Sequence, residues 1–329
     1  MPTRNQAYLR HATHYWALLA VSNDVYKLGG TKVMSALSLL DSEWSNIQIG
    51  QRWAEKHINY DEVASSLCCA FPLYGGGPLD LRLSNAEHMH WLETGLTAAR
   101  QSRNRQLEGV LLGQIGFYLG LSDDKQNGIR YELASLQILR DVGSRSWEAT
   151  MLGRLGQSYA SIGDYEQALA FLESYLKLAR ELGSLRHEGG ALGSLGVTYA
   201  WMGDTKRAIS YSKKHLRITR KLGDIRGEAF ALGNLARSYA HLGDNSKAIE
   251  TYQQRLTIAR QMEDSYNKGD SLFHLSVLFG KQNRHDLAIP LAEEAVQTYE
   301  RIKHHCYYRA INHLLELCQK EGVSTWHNR

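Results

Sequence analysis

The sequence predicts an all-α protein, a right-handed superhelical solenoid of antiparallel helix hairpins that follows an N-terminal helical segment. The strongest observation is a pattern that begins at Met151 and is repeated from Ala191 and from Ala231, with a period of 40 residues. Within each copy, apolar residues recur at helical spacing in two stretches. A Gly-Asp pair separates the two stretches. Such a period is typical of repeat proteins whose neighbouring units bury each other's apolar faces.

The repeat keeps its register position by position. Weaker copies extend it upstream through Gly113 and downstream through Leu275 and Ala288. We therefore expect about five full hairpins over residues 105–303, a partial hairpin before them and a capping helix at 305–320. The aligned sets are Gly153, Gly193 and Gly233; Tyr159, Tyr199 and Tyr239; Gly163, Gly203 and Gly243, each followed by Asp; and Ala168, Ala208 and Ala248.

Each unit has the features of two antiparallel helices. Gly163 is suited to the end of the first helix and Asp164 to the cap of the second. A small residue at Ala168 allows the two helices to cross closely. The predicted buried stripes are Leu152, Leu155, Gly156 and Tyr159 on the first helix, and Ala168, Leu169, Leu172, Leu176 and Ala179 on the second.

The pattern Leu152-x2-Leu155-Gly156-x2-Tyr159, continued by Gly163-x-Tyr165-x2-Ala168, resembles the tetratricopeptide repeat (TPR), with Leu in place of the signature Trp. The 40-residue period is similar to the longer-helix variety found in Pins-type adaptors, kinesin light chains and bacterial signalling ATPases. The resemblance covers roughly residues 86–320. It implies a module that binds a protein or peptide and needs no cofactor.

The chain before the repeats predicts three helices, over about 5–26, 31–57 and 60–73. Leu28-Gly29-Gly30 ends the first helix, and Tyr74 to Pro78, with three glycines between them, form a break. A further helix at 86–100 aligns with the second helix of a repeat. We therefore divide the chain into an N-terminal segment at 1–78, a repeat array at 79–320 and a tail at 321–329.

The N-terminal third carries a second resemblance. The stretches RHATHYWALLA, LLDSEWSNIQIGQRWAEK and LYGGGPLDLRLSNAEHMHWLETGLTAAR are similar to the helical segment that joins the ATPase core to the repeat sensor in STAND-class signalling ATPases. The nucleotide-binding motif G-x4-G-K-[ST] is absent, since Gly29-Gly30-Thr31-Lys32 does not match it. The chain is then either the sensor half of a protein whose ATPase core lies on the same polypeptide, or a free-standing relative.

Composition excludes several other classes. No apolar run approaches the roughly 18 residues of a membrane span, and the N-terminus lacks the apolar segment of a secretory signal. Four cysteines do not form a disulfide framework, so a cytoplasmic protein is expected. A net charge of +4, with basic residues scattered among acidic ones, does not favour nucleic acid.

Three groups of residues are candidates for chemical sites. His304-His305-Cys306 would point in different directions on a helix, and no C-x2-C pair accompanies them, so no metal site is expected. Cys68-Cys69 lie in an apolar helix, where buried thiols are the usual interpretation. Asp61 and Asp124 stand at helix starts and are interpreted as caps. The sequence thus predicts no catalytic residues and a protein that is not an enzyme.

Recognition is the remaining function. In such repeats the first helix of each hairpin lines the concave surface, and Gly153, Gly193 and Gly233 would let a peptide backbone approach it. Side chains at the lining positions differ between repeats although the buried stripe does not. The predicted peptide-binding residues are Gln114, Phe117, Arg154, Gln157, Ser194, Val197, Trp201, Asn234, Arg237, His241, His274 and Lys281.

These side chains combine donors with apolar anchors, so the hypothetical ligand is an extended or helical peptide of some acidic character. Two functions stay open. One is the ligand sensor of a STAND-type ATPase, and the other is an adaptor that joins two proteins. An adaptor has no need of residues 1–78, whereas a sensor half does.

Overall fold

A computed structural model describes residues 3–27, 32–122 and 124–321 of the chain. These residues form sixteen α-helices and no β-strand, so the predicted all-α class is confirmed. The predicted stop at Leu28-Gly29-Gly30 and nearly all of the tail lie outside the described residues. The helices are α1 (Arg4–Lys27), α2 (Lys32–His57), α3 (Glu62–Tyr74), α4 (Gly76–Asp80), α5 (Asn85–Gln101), α6 (Arg105–Leu121), α7 (Lys125–Asp141), α8 (Arg145–Ser161), α9 (Tyr165–Glu181), α10 (Leu185–Trp201), α11 (Thr205–Leu222), α12 (Ile225–Leu242), α13 (Asn245–Gln261), α14 (Ser265–Lys281), α15 (His285–Arg301) and α16 (Tyr307–Glu321).

The chain forms two compact units, Met1–Leu182 and Gly183–Arg329. In the first unit, α1 packs on α2, and α3 packs on α5. Trp44 stacks on Trp91 with ring centroids 6.3 Å apart, and the Cys69 thiol donates to the carbonyl of Gly95 at 3.2 Å. The N-terminal helices therefore share one apolar core with the start of the repeats.

The break expected over residues 74–78 is shorter than predicted. The helix α3 continues through Pro72 to Tyr74, and after Gly75 the short helix α4 begins. Asp61 caps α3 as expected, because its carboxylate accepts the backbone N–H groups of Val63 and Ala64. Asp124 differs, since it stands at the start of α7 but makes no such capping hydrogen bond.

Two full hairpins, α6–α7 and α8–α9, complete the first unit, and three more, α10–α11, α12–α13 and α14–α15, form the second unit with α16. In the second unit each first helix contacts the next first helix, α10 with α12, α12 with α14 and α14 with α16. The first helices thus form a continuous layer, which we call the first-helix layer. The last helix, α16, covers the end of this layer, and its residues Leu314, Leu317 and Cys318 are buried.

The turns between the repeat helices follow a period of 20 residues, half that of the hairpin. At ten of these turns, a residue one or two positions after the helix end has a positive φ, which glycine adopts at least cost. Asp164, Asp204 and Asp244 then cap the second helices through backbone N–H groups, as predicted. The positive-φ series is Arg103, Gly143, Gly163, Gly183, Gly203, Gly223, Gly243, Glu263, Asn283 and Lys303.

The predicted role of three glycines is wrong. A Cβ atom on Gly153 would lie 2.7 Å from the ring of Tyr175. A Cβ on Gly193 would lie 3.0 Å from the ring of His215. These glycines make room for a large side chain of the second helix in their own hairpin. They are therefore used by internal packing and do not open a path for a peptide backbone.

The last hairpin reverses this arrangement. In the hairpin before it, α12–α13, Gly233 follows the earlier pattern and leaves space for the guanidinium of Arg255, which would lie 2.9 Å from an added Cβ atom. At the equivalent positions of α14 and α15, however, the large residue is Phe273 and the small one is Ala295, both buried in the same apolar core. In this hairpin the large side chain is thus on the first helix and the small one on the second, and the space between the helices stays filled.

No helix within the described residues combines the length and the apolar character required to cross a lipid bilayer.

Candidate recognition surface on the first helices

In the first unit, the structure brings together the four predicted residues of α6 and α8. The Arg154 guanidinium lies over the ring of Phe117, 5.0 Å from its centroid. It donates to the carbonyl of Gly113 at 3.0 Å and to Oε1 of Gln114 at 3.1 Å. Arg154 therefore links two neighbouring hairpins, and these bonds occupy part of its donor capacity.

A cavity of about 130 Å³ opens beside this cluster. Phe117, Arg154 and Gln157 line it, and Lys125 and Glu132 of α7 complete the wall. Glu132 is 1 % exposed, and its Oε2 has no hydrogen-bond partner in the part of the chain that the structure describes. The cavity thus joins predicted residues of the first helices to charged residues of a second helix.

Burial changes the acid–base properties of this cluster. It raises the pKa of the Glu132 carboxyl, and a hydrogen bond from Ser158 and the charge of Arg154 offset that effect only in part. Burial also lowers the pKa of the Arg154 guanidinium, which the charge of Glu132 opposes. Arg154 and Glu132 therefore partly neutralise each other, and Arg154 is less open to an acidic ligand than its sequence position predicts.

In the second unit, α10 presents an aromatic anchor. Trp201 is the last residue of α10 and is 55 % exposed, and the adjacent Met202 is also exposed. Ser194 and Val197 are half-buried on the same helix. Exposed indole at a helix end is the type of side chain that carries binding energy in protein interfaces.

The residues of α12 are less open than predicted. Asn234 is 8 % exposed, and its Oδ1 accepts a hydrogen bond of 2.7 Å from Arg237. It is therefore a support for Arg237 and not an open amide for a peptide. Arg237 and His241 are exposed.

On α14, His274 is tied to a buried charge cluster. Its ring stacks on Tyr252 at 5.1 Å, and its Nε2 lies 3.5 Å from Oδ1 of Asp270. Asp270 also pairs with Arg255, which is 5 % exposed. Lys281 at the end of the same helix is exposed.

Asp270 is the most perturbed carboxyl of this cluster. Burial alone would raise its pKa. The hydrogen bond from His274 and the charge of Arg255 outweigh burial and hold the pKa of Asp270 well below its usual value. The Asp270 carboxylate is thus ionised throughout the neutral range and holds His274 in place.

Sequence reasoning missed the side chains that the second helices contribute. Glu132 lines the cavity beside Arg154, while Tyr252 and Arg255 belong to the cluster that holds His274. A signal was present for Arg255, because Tyr175, His215 and Arg255 share one position of the repeat opposite the three aligned glycines. A large residue opposite a glycine indicates that the two fill one space.

The cysteines interpreted as buried thiols are buried. Cys68 and Cys69 are each at most 1 % exposed, and burial raises the pKa of Cys69 to about 11. A thiolate nucleophile is therefore strongly disfavoured there. His57 is held by its own helix, since its Nδ1 lies 2.8 Å from the carbonyl of Trp53.

The helical geometry expected for His304, His305 and Cys306 is wrong, and with it one of the two reasons for expecting no metal there. These residues lie in the connection between α15 and α16.

Comparison with known protein families identifies tetratricopeptide repeats at two places in the chain. Two models of this repeat match residues 149–182 and 188–261. These segments span α8 to α13, and they confirm the repeat that the sequence pattern predicts. Tetratricopeptide repeats imply a protein–protein interaction module. The comparison with curated proteins found no match.

Solved structures share the fold at low sequence identity. A STAND protein with a tetratricopeptide repeat sensor from Pyrococcus horikoshii matches with a TM-score of 0.65 and 15% identity, over 98% of this chain and 51% of that one. Aspartyl phosphate phosphatase F from Bacillus subtilis matches with a TM-score of 0.60 and 11% identity, over 99% and 98%. A Rap protein complexed with Competence and Sporulation Factor gives 0.58 and 12%, over 96% and 98%. The chain therefore spans about half the length of the STAND protein.

Proposed function

We propose that this protein is a non-catalytic recognition module that binds a protein or peptide segment on its first helices. The observation that carries the proposal is the contrast between constant and variable positions of those helices. The buried stripe repeats almost unchanged, whereas the exposed positions after it change character from hairpin to hairpin, as in Trp201, His241 and Lys281. Among these variable positions, the exposed indole of Trp201 is the type of side chain that anchors protein interfaces.

The contacts refine the chemistry of the ligand. Arg154 and Arg237 already bind acceptors of the protein, so the acidic preference depends mainly on Lys281 and on the remaining donors of Arg237. Trp201 favours an apolar or aromatic side chain. We therefore propose an extended segment with an apolar residue for Trp201 and at least one carboxylate.

The sensor of a STAND-type signalling ATPase is the role that we favour for this module. The structural likeness to the STAND protein with a tetratricopeptide repeat sensor covers nearly all of this chain, including the N-terminal helices that an adaptor would not need. The likeness to a Rap protein solved with Competence and Sporulation Factor supports ligand binding by this fold. An ATPase core on the same polypeptide belongs to this proposal.

The alternative is an adaptor that joins two proteins. The N-terminal segment carries exposed apolar side chains, Tyr60 at 85 % and Val63 at 48 %, which could serve either a second partner or an ATPase core. The identity of the protein retained by these residues separates the two functions.

The binding surface is tested with a triple variant of the second unit, Trp201→Ala, His241→Ala and Lys281→Glu. Short random peptides would be selected on the parent protein from a display library, and the affinity of the selected peptides would be measured for both proteins. We expect the variant to lose at least tenfold in affinity, because it lacks the anchor and reverses one charge.

The matched control is Leu222→Ala, which removes an exposed apolar residue from the end of the second helix α11. This control should keep the parent's affinity. Circular dichroism would establish that each variant is folded. Equal affinity of the triple variant and the parent for every selected peptide would refute the surface proposed here.

The sensor and adaptor functions are separated by a second capture experiment. The parent, the triple variant of the second unit and a Tyr60→Ser, Val63→Ser variant would each be used as bait in extract of the source cells, and the retained proteins would be identified by mass spectrometry. Because the proposed core lies on the same polypeptide, a retained nucleotide-binding protein whose own sequence includes this chain, lost with the Tyr60→Ser, Val63→Ser variant, would support the sensor. Two unrelated proteins, one lost with the triple variant and the other lost with the Tyr60→Ser, Val63→Ser variant, would support the adaptor.

A further inference from the structure

Three potential metal ligands meet in the connection between α15 and α16. This connection carries His304, His305 and Cys306 in succession. One ligand atom from each residue can be chosen so that all three lie within 4.8 Å of one another. On a helix, successive side chains diverge, but in this turn they converge.

The surrounding residues hold the first imidazole in place. The ring of His304 stacks on Tyr299 of α15 at 5.4 Å and contacts Tyr266 of α14 at 5.1 Å. Its Nδ1 accepts a hydrogen bond of 3.2 Å from the backbone N–H of Cys306. The ring of His305 lies 4.2 Å from that of His304. One ligand is thus fixed by the second unit, and its neighbours in the chain are brought beside it.

The exposure of the three residues allows an ion to reach them. His304 and Cys306 are half-buried, and His305 is exposed. The buried Cys318 and the other thiols of the chain are closed to solvent by comparison. The two imidazoles and the thiol also belong to the donor types that zinc and cobalt prefer. Hard cations such as Mg²⁺ and Ca²⁺ do not prefer these donors.

We propose that His304, His305 and Cys306 form a three-ligand site for a divalent ion of the zinc class, with a fourth position left to water or to an external ligand. Ligand atoms of a tetrahedral zinc site lie about 3.5 Å apart, given metal–ligand distances of about 2.0 to 2.3 Å. The three ligand atoms lie up to 4.8 Å apart, so binding requires them to approach by about 1 Å through side-chain rotation, for which the exposed His305 has the most freedom. Binding through Nδ1 of His304 would replace its bond from the Cys306 N–H.

The proton balance of binding is simple. The Cys306 thiol releases one proton to solvent and its sulfur forms the bond to the ion, while the two imidazoles bind in their neutral form. Neither oxidant nor reductant is required. The ion would tie the turn to α14 and α15 through His304, and so would stabilise the start of α16.

The test uses cobalt as a spectroscopic probe on the full chain. Titration of the reduced protein with Co²⁺ should produce thiolate-to-cobalt charge-transfer absorption in the near ultraviolet and strong visible bands of tetrahedral cobalt. Added Zn²⁺ should remove both. Zn²⁺ should also raise the melting temperature of the metal-free protein, because an ion that binds only the folded state stabilises it.

Two variants assign the ligands. Cys306→Ala should lose the charge-transfer absorption, and His305→Ala should lose the strong visible bands while folding normally, because His305 is exposed. His14→Ala removes an exposed histidine of α1, outside the proposed peptide-binding surface, and should leave the cobalt spectrum unchanged. Absence of a cobalt spectrum in the parent, or the same spectrum in the parent and in Cys306→Ala, would overturn the proposal.

Discussion

Tyr175, His215 and Arg255 have different chemistry, but they share one position and each lies against a glycine of the facing helix. The first unit gives the strictest example, because an added Cβ on Gly153 would lie 2.7 Å from the Tyr175 ring, closer than such atoms approach. The size of one side chain therefore determines the size allowed at the other. This is a constraint between residue pairs, and neither residue shows it alone.

A double-mutant cycle tests this pairing. Gly153→Ala should lower the free energy of unfolding by about 1 to 3 kcal/mol in the parent, because the added methyl group overpacks the hairpin. In a Tyr175→Ala background the same change should cost much less, since the ring is gone. Urea denaturation gives both values. Equal costs in the two backgrounds would show that the pair does not interact.

The buried ion pair of the second unit predicts a pH dependence. Because the folded-state pKa of Asp270 is lowered, this carboxylate adds stability above its unfolded pKa of about 4. That stability is lost as the pH falls below about 4 towards the folded-state value. Asp270→Asn should make the loss of stability below about pH 4 less steep. Denaturant unfolding at a series of pH values measures this loss.

The same variant has a cost at neutral pH. It leaves the guanidinium of Arg255 buried without a counter-charge, which destabilises a protein by about 3 to 5 kcal/mol. Glu263→Gln, at an exposed carboxylate of the same unit, is the matched control and should change neither quantity much. An Asp270→Asn protein as stable as the parent at pH 7 would show that the pair contributes little.

At the scale of the elements, the turns are the most regular feature. Ten described positions at 20-residue intervals have positive φ, and six of them are glycine. Residues other than glycine cost roughly 1 to 2 kcal/mol in this conformation. Glu263 and Lys303 bear that cost at φ of 54° and 50°.

Opposite changes at two equivalent turns should therefore have opposite effects. Gly243→Ala should lower the free energy of unfolding by about 1 kcal/mol, and Glu263→Gly should raise it by a similar amount. Chemical denaturation of the two variants and the parent measures both. A loss of stability on Glu263→Gly would mean that the side chain makes a contact worth more than the backbone strain.

The elements also show where sequence reasoning succeeds and where it fails. Gly163 and Asp164 encode a helix end and a helix start chemically, so the hairpin turn can be predicted from residue types. Lys303 and His304 are not residue types that mark a helix end or a helix start, so residue type alone predicts helical geometry for His304. The 20-residue period, extended from Gly243, places a turn at Lys303, so position in the repeat holds the information that residue type does not.

At the scale of the whole molecule, the repeat period is sufficient to predict the fold, because stacked hairpins leave few alternatives for the buried stripes. The recognition surface is less predictable. Position on the first helix identifies Trp201 and Lys281 as exposed, but whether a side chain is open also depends on the second helix behind it. Asn234 and Arg154 are moreover engaged by neighbours on the first helices, Arg237 and Gln114, and the sequence gives no sign that Glu132, on a second helix, belongs to the site.

Each hairpin pairs one large residue with one small residue across its two helices. This pairing also limits how such a protein can be rebuilt by gene duplication or by engineering. A chimera that joins α14, with Phe273, to α9, with Tyr175, would place two large rings in a space that holds one. One that joins α8 to α15 would face Gly153 with Ala295 and leave a void. The smallest segment that can be duplicated or transplanted intact is therefore a complete pair of helices, and recombination within a pair would be selected against even when every helix is a good one.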